Sequence, residues 1–346
     1  MISKKQIENI LKDKDPQHLE TLALKSSQLT QQYFGRTISL YAPLYLSNYC
    51  SSYCTYCGFN LKNKIERMKL TEEQMHQEMK RIAEDRIENI LLLTGESYQA
   101  TPFSYLKKAV ATAKQYFSSI SLEIYPMETE EYRELFLCGV DGVTIYQETY
   151  NQERYHQVHL SGKKKDYAYR KETPARIARS GIRQISLGIL LGLYEDISED
   201  LLSLYQHVRW MEKNFPGIEY SFSFPRLRKI KGQSFEIADV DDITFIKIIC
   251  LTRILFPRIG INLSTRENIR IRDHALLLGV TRMSAGSKTS VGGYAIKSIE
   301  HQEPQFDIED TRSVNEIVDL LKKKNVDPIF TDWRNIQNEG IASPFI

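Results

Sequence analysis

The chain predicts an α/β fold, most simply an eight-stranded (β/α)8 barrel of TIM type. A helical lead-in occupies residues 1–36, the barrel 37–286, and an extension packing on it 287–346. Three observations carry the prediction. Short apolar runs of buried-strand type alternate with helical segments along the chain. No low-complexity linker divides its 346 residues into separate units. A cysteine cluster follows the first strand, at the C-terminal mouth where barrels build their chemistry. A partial barrel of six units is the alternative that this alternation allows.

In the lead-in, Ile7, Ile10 and Leu11 stand at helical spacing. Residues 37–46 (TISLYAPLYL) read as the first strand. Thr71 is placed to cap a helix whose first turn carries Glu72 and Glu73. Residues 89–94 (NILLLT) form the second strand, followed by a helix over 102–117. Residues 119–125 make the third strand, and 129–138 a helix that Gly139 ends. The fourth strand, 143–148, leads into a long loop over 150–169 and a short helix at 174–180. Strand 183–191, helix 198–214, strand 218–224, helix 241–256, strand 260–264, helix 268–278 and strand 281–285 complete the barrel. The extension carries an amphipathic helix at 313–324 and a strand at 329–331 after Pro328.

Composition narrows the class. Hydrophobic residues make up 42% and charged residues 26%, as in an ordinary globular protein. A net charge of +2 gives no broad basic field, so no nucleic acid is expected. No run of about 18 apolar residues is present to span a membrane. The N-terminal segment lacks an apolar signal core, and five cysteines without a signal fit a reducing cytoplasm.

The stretch Asn48-Tyr49-Cys50-Ser51-Ser52-Tyr53-Cys54-Thr55-Tyr56-Cys57-Gly58-Phe59 organises the chemistry. It places Cys50, Cys54 and Cys57 in the spacing Cys-x3-Cys-x2-Cys. Thiolates are soft ligands, and three on one short loop can converge on a soft metal or an iron–sulfur cluster. A structural zinc site or an electron-transfer cluster usually takes four protein ligands. A cubane held by three leaves one iron open. Zinc would need His76, His156 or His159 as fourth ligand, and no second Cys-x2-Cys or His-x3-His follows. Disulfides fit poorly between such close neighbours in a chain with an odd cysteine count. Cys138 ends a helix and Cys250 sits in an apolar run (IKIICL), so both read as packing residues.

The other strand ends add polar groups. Thr94-Gly95-Glu96 puts a glycine and a carboxylate at the mouth. Gln147 and Glu148 end the fourth strand; a carboxylate there can accept from both hydroxyls of a ribose or pair with an ammonium. Arg170, beyond the long loop, suits a bidentate fork onto a carboxylate. Ser264-Thr265-Arg266 follows the seventh strand, where an arginine flanked by hydroxyls suits an amino-acid carboxylate. Residues 224–228 (FPRLR) and 283–287 (MSAGS) end the sixth and eighth strands. His156, His159 and the lysine run 163–165 read as a solvated loop.

The cysteine spacing, with an aromatic before the last cysteine and Gly-Phe after it, resembles the cluster motif of the radical S-adenosylmethionine (SAM) superfamily. The ordered set NYCSSYCTYCGF, LLLTGE, YQETYN with HLSGKKKDY, FPRLR, STRE and MSAGSKTSVGGY is similar to one branch of it, the ThiH-type tyrosine lyases (2-iminoacetate synthases) of thiazole biosynthesis. The resemblance implies a radical SAM barrel. In it Cys50, Cys54 and Cys57 hold a 4Fe–4S cluster, with Tyr56, Gly95, Glu96, Glu148 and Arg170 around SAM. Gln147, Ser264, Thr265 and Arg266 surround the substrate, Arg266 and Glu148 being the catalytic candidates. The implied reaction starts from a 5′-deoxyadenosyl radical that takes hydrogen from the amino group of L-tyrosine. The Cα–Cβ bond then breaks to give 4-cresol and 2-iminoacetate. A thiazole synthase of ThiG type is the implied protein partner, and a flavodoxin or ferredoxin the electron donor. A tryptophan-cleaving relative, a HydG-like maturase without its second cluster, and an iron–sulfur carrier without SAM chemistry stand as alternatives.

Overall fold

The alternation read along the chain closes on itself. The structure, a computed structural model, describes residues 2–228, 238–296 and 304–331. Eight parallel strands follow one another around a barrel: β1 Thr37–Ser47, β2 Asn89–Thr94, β3 Ser119–Glu123, β4 Gly142–Glu148, β5 Gln184–Ile189, β6 Glu219–Ser223, β7 Gly260–Leu263 and β8 Arg282–Ser284. Closure comes from β8 pairing with β1, Ser39 opposite Arg282 and Tyr41 opposite Ser284. The partial barrel is thereby excluded. A ninth strand, β9 Asp327–Ile329, adds to the start of β1. It includes Pro328, which an edge position tolerates because no neighbour there needs its missing N–H. The strand expected at 329–331 thus starts two residues earlier.

The helices are α1 Lys4–Lys12, α2 Pro16–Phe34, α3 Glu72–Glu84, α4 Phe103–Ala113, α5 Thr129–Cys138, α6 Gln152–Val158, α7 Tyr167–Ser180, α8 Ile197–Asn214, α9 Asp242–Leu255, α10 Ile269–Ala275 and α11 Val314–Lys323. Their ends follow local chemistry. Thr71 accepts from the Gln74 N–H while the Gln74 side chain returns to the Thr71 N–H, a reciprocal cap at the start of α3. Gly139 ends α5 at φ 109°, a backbone that glycine adopts without strain. Outward strand residues such as Ile38, Leu40, Leu44, Ile90 and Leu92 are buried under the helices. The inward positions are small and polar (Ser39, Ser121, Ser186, Ser221, Asn262), where most such barrels carry bulky branched residues. Space therefore remains inside.

The segment 150–169, expected as one long loop, is ordered instead. It contains α6, a short strand His159–Ser161, a turn of 3-10 helix at Lys163–Lys165 and the start of α7. The helix expected at 174–180 begins at Tyr167 and carries Pro174 inside it. Proline normally stops a helix; here buried contacts by Tyr167, Arg170 and Thr173 sustain the turns before it. Of the expected extension 287–346, residues 297–303 and 332–346 lie outside the described residues.

Candidate active site

The chain leaves β1 at Ser47 and turns over the mouth. Asn48 Nδ2 donates to the Glu66 carbonyl (2.8 Å), and Asn48 Oδ1 accepts from Met68 N (2.6 Å). Arg67 donates from Nη1 to the carbonyls of Asn48 (2.6 Å) and Phe59 (2.8 Å), and from Nη2 to those of Asn60 (2.6 Å) and Asn63 (3.2 Å). One guanidinium thus ties the chain just before Cys50 to the chain just after Cys57. Within the loop, Tyr53–Cys54 pairs antiparallel with His159–Ser161. At Gly162 a Cβ would lie 2.5 Å from Ser52 Oγ, so the two segments meet only because that residue is glycine.

Cys50, Cys54 and Cys57 line one cavity at the mouth. Burial pushes the Cys50 thiol up to about 11 and holds those of Cys54 and Cys57 above the usual thiol range. Thiolates buried this way need a cation beside them, and an iron–sulfur cluster supplies one. Among the described residues no three His, Cys, Asp or Glu side chains converge on a single ion position. A cubane does not ask for that, because its thiolates sit on different irons. The donor set fits a cluster held at three corners.

Glu96 follows β2. A Cβ at Gly95 would lie 2.4 Å from the Tyr49 carbonyl, so this turn packs against the cysteine loop only as glycine. Ser51 N then donates to the Glu96 carbonyl (2.9 Å). Glu96 Oε1 accepts from Arg170 Nη1 (2.8 Å), while Oε2 is buried without a partner among the described residues. Such an orphaned acceptor fits a donor that binds later, as an ammonium of SAM would. Arg170 Nε donates to the Tyr146 carbonyl (2.6 Å), and Nη2 stands 3.9 Å from Glu148 Oε1. Glu148 has φ 71° at a bulge between β4 and β5, a backbone costly for a residue with a side chain. The bulge turns its carboxylate into the mouth, where Lys164 Nζ donates to it (2.7 Å). Burial favours the neutral acid, but Lys164 and Arg170 outweigh it and hold Glu148 below the usual carboxylate range.

Lys164 corrects the expectation of a solvated lysine run. Lys163 and Lys165 are exposed, whereas the Lys164 side chain is 12% exposed and enters the site. His159, expected in a solvated loop, is fully buried. Its Nδ1 faces the Tyr155 carbonyl (2.8 Å), which leaves Nε2 to accept from the Tyr56 hydroxyl (2.7 Å). Burial keeps the ring neutral by holding its pKa well below the usual value. His159 therefore orients Tyr56, which lines the cavity.

Ser264, Thr265, Arg266 and Ser284 line the opposite wall. Arg266 Nη1 donates to the Arg226 carbonyl (3.3 Å), its guanidinium lies 3.6 Å from the Phe306 ring centroid, and Nε is buried without a partner among the described residues. Burial lowers its pKa from the usual guanidinium value. A half-buried arginine with open donors and no carboxylate on it among the described residues fits an anionic ligand group. Gln147, at the β4 bulge, is buried but is not among the cavity-lining residues. Of the FPRLR pair, Arg226 is committed to Glu267 and Asp242, while Arg228 reaches the cavity. Cys250 is fully buried in α9 and Cys138 half-buried, away from the site.

The sequence reading passed over Arg67, Glu123, Lys164 and Gln305. Glu123 had a signal: residues 119–123 (SISLE) alternate polar and apolar and end on a carboxylate at the mouth end of a strand. Gln305 had none. From the extension it accepts from the Tyr45 hydroxyl (2.7 Å), and its amide lies 3.9 Å from Cys57 Sγ.

The cavity encloses ≈ 1410 Å³ counting its open mouth. The chain matches the Radical SAM superfamily over residues 44–207 and the Biotin and Thiamin Synthesis associated domain over residues 223–327. It is 40% identical to 2-iminoacetate synthase of Salmonella typhimurium over 91% of this chain and 83% of that protein. It is 39% identical to the 2-iminoacetate synthase of Escherichia coli over the same shares. The X-ray structure of the FeFe-hydrogenase maturase HydG from Carboxydothermus hydrogenoformans superimposes with TM-score 0.88 at 32% identity, covering 96% of this chain and 77% of that one. With that identity over most of both chains, and with the cysteine loop at the mouth of a closed barrel, this chain belongs to the 2-iminoacetate synthase family of radical SAM enzymes.

Proposed function

We propose that the chain cleaves the Cα–Cβ bond of L-tyrosine to 2-iminoacetate and 4-cresol, feeding thiamine thiazole biosynthesis. The observation that carries this reading is one cavity holding two unlike binding halves. Three thiols and a ring of charged side chains stand on one side, and on the other a half-buried arginine whose Nε has no partner among the described residues. Cys50, Cys54 and Cys57 hold a 4Fe–4S cluster, which with SAM supplies reductive cleavage to a carbon radical able to abstract hydrogen. Glu96 takes the SAM ammonium on its unpartnered Oε2. Arg170 braces Glu96 and offers its remaining donor to the SAM carboxylate. Glu148, kept ionised by Lys164, accepts from the ribose hydroxyls. Tyr56, fixed by His159, closes that half.

In the other half Arg266 forks onto the amino-acid carboxylate, with Ser264 and Thr265 beside it. Positioning is the protein's main contribution, since misplacement of about 1 Å can cost on the order of 100-fold in rate. Gln305, bonded to Tyr45, and Phe306, against Arg266, add to the cavity wall and narrow the access of water and stray hydrogen donors. 2-Iminoacetate hydrolyses readily, so direct handover to a ThiG-type thiazole synthase is part of the proposal. So are a flavodoxin or ferredoxin as one-electron donor and a cytoplasmic location. No helix among the described residues is long and apolar enough to cross a membrane. The test is anaerobic incubation of reconstituted protein with SAM, reductant and each aromatic amino acid, followed by mass spectrometry. 4-Cresol from tyrosine is expected; cleavage of tryptophan instead would replace this reading.

A further inference from the structure

We propose that Glu123 receives the phenol hydroxyl of the substrate and thereby sets the preference for tyrosine over phenylalanine; the inference rests on the tyrosine-lyase reading. Glu123 is the last residue of β3, and Arg266 follows β7. Strands four apart in a closed ring of eight lie on opposite walls. The cavity therefore has an uncommitted cation on one wall and a carboxyl group on the other, and both residues line it.

Each of the other two acids lining this cavity already has a partner. Glu96 is held by Arg170, and Glu148 by Lys164 and Arg170. Glu123 is half-buried and makes no hydrogen bond among the described residues. A carboxyl group that lines a cavity and bonds to no neighbour is open to a ligand or a water. Its surroundings suit an aromatic ring: Tyr41, Tyr45, Leu91, Leu93 and Tyr146 line the same cavity. Tyr41 and Tyr146 also line the lower cavity, so they form the floor, and both sense the Glu123 charge. Glu123 thus lies near the floor, whereas Glu148 stands further along β4 toward the mouth.

A tyrosine whose carboxylate rests on Arg266 keeps its ammonium on the same wall, because both groups hang from Cα. Only the phenol reaches across. Burial raises Glu123 to about 7, with Glu148 adding to the rise and Lys164, Arg266 and Arg170 opposing it. Near neutrality such a group can accept a hydrogen bond from the phenol or donate one to it.

The test uses full-length protein, reconstituted anaerobically with iron, sulfide and SAM. Wild type is first assayed for 4-cresol from tyrosine; none formed would overturn the lyase reading and this inference with it. Tyrosine and phenylalanine binding are then compared by calorimetry in wild type, Glu123→Gln and Glu123→Leu. Wild type is expected to favour tyrosine by about 10⁴-fold, as sites built around a substrate hydroxyl do. Glu123→Leu should bring that ratio to within roughly tenfold of unity, with phenylalanine bound at least as well as in wild type. Iron content and SAM affinity should stay at wild-type values and report that the variant is folded. Glu123→Gln, nearly isosteric, should lower the ratio by roughly tenfold and keeps the test open if the leucine variant does not fold. An equal loss for both amino acids would assign Glu123 to the ammonium, and an unchanged ratio with active wild type would assign it no part in recognition; either overturns the inference.

Discussion

At the mouth of the barrel the cavity is walled by Glu96, Glu123, Glu148, Lys164, Arg170 and Arg266. At the opposite end the same strands present Ser39, Asn89, Ser121, Ser186, Ser221 and Asn262 around a second cavity of ≈ 1350 Å³. The two spaces share Tyr41, Leu91, Thr144 and Tyr146 as a partition. They differ in charge. Among the described residues the charged lining of the lower one is Glu219 and Arg282 only, that of the upper one three acids (Glu96, Glu123, Glu148) and four cations (Lys164, Arg170, Arg228, Arg266). In the lower one Asn262 Nδ2 donates to Ser186 Oγ (2.9 Å) and Ser221 Oγ (3.1 Å), and Asn89 Nδ2 to the Leu40 carbonyl (3.0 Å). Both spaces keep buried atoms without partners among the described residues, Asn262 Oδ1 and Arg282 Nε below, Glu96 Oε2 and Arg266 Nε above. Neutral groups that bond one another hold a barrel open at little cost, whereas a gathering of charges round one space suits charged ligands. Volume alone does not locate the site, and neither does one unsatisfied atom; the gathered charge does.

Substitutions at the two ends break or sharpen that contrast. The largest effect belongs to the sulfur ligands: replacing Cys50, Cys54 or Cys57 by Ala should abolish both bound iron and SAM cleavage, measured by iron analysis and 5′-deoxyadenosine release. Cys138→Ala and Cys250→Ala should keep both, since those thiols face helices and core. Next comes Arg266→Lys, which keeps the charge and loses the fork. It should slow 4-cresol formation on the order of 100-fold with iron content unchanged. Wild-type kinetics in that variant would detach Arg266 from the substrate.

Smaller still is Glu96→Ala. Loss of a charged hydrogen bond should cost about 1.5–3 kcal/mol, or roughly 10- to 150-fold in SAM affinity by calorimetry, with the cluster intact. Arg67→Gln should lower iron retention on dilution into chelator, because the loop ends flanking the cysteines lose their shared donor. The smallest effect is expected below the partition. Asn262→Ala should cost about 1 kcal/mol in stability and leave SAM and tyrosine affinities unchanged. A tenfold loss of either affinity there would falsify the division into a ligand-binding upper space and a structural lower one.

Much of this was legible along the chain because it is local. The cysteine spacing lies within one turn of the backbone, the Thr71 cap joins residues three apart, and each strand announces itself by its own apolar run. The order of these units was enough for a barrel. Segment 150–169 was misread because its structure is induced from outside: its short strand forms only against Tyr53–Cys54, a hundred residues earlier. Its polar composition gave no hint that Lys164 would be buried on Glu148 or that His159 would lock Tyr56.

What the sequence by itself determined is the kind of unit, its repetition and the identity of the cluster ligands, since these rest on periodicity and on atoms that share one loop. Only the tertiary structure decided which polar residues meet. Barrel closure sets β3 opposite β7 and so gives Glu123 a counterpart in Arg266. It also brings Gln305 of the extension over Cys57, across a separation of 248 residues. Whether a charge ends up paired, orphaned or exposed depends on every strand's register at once, and no window of the chain contains that information.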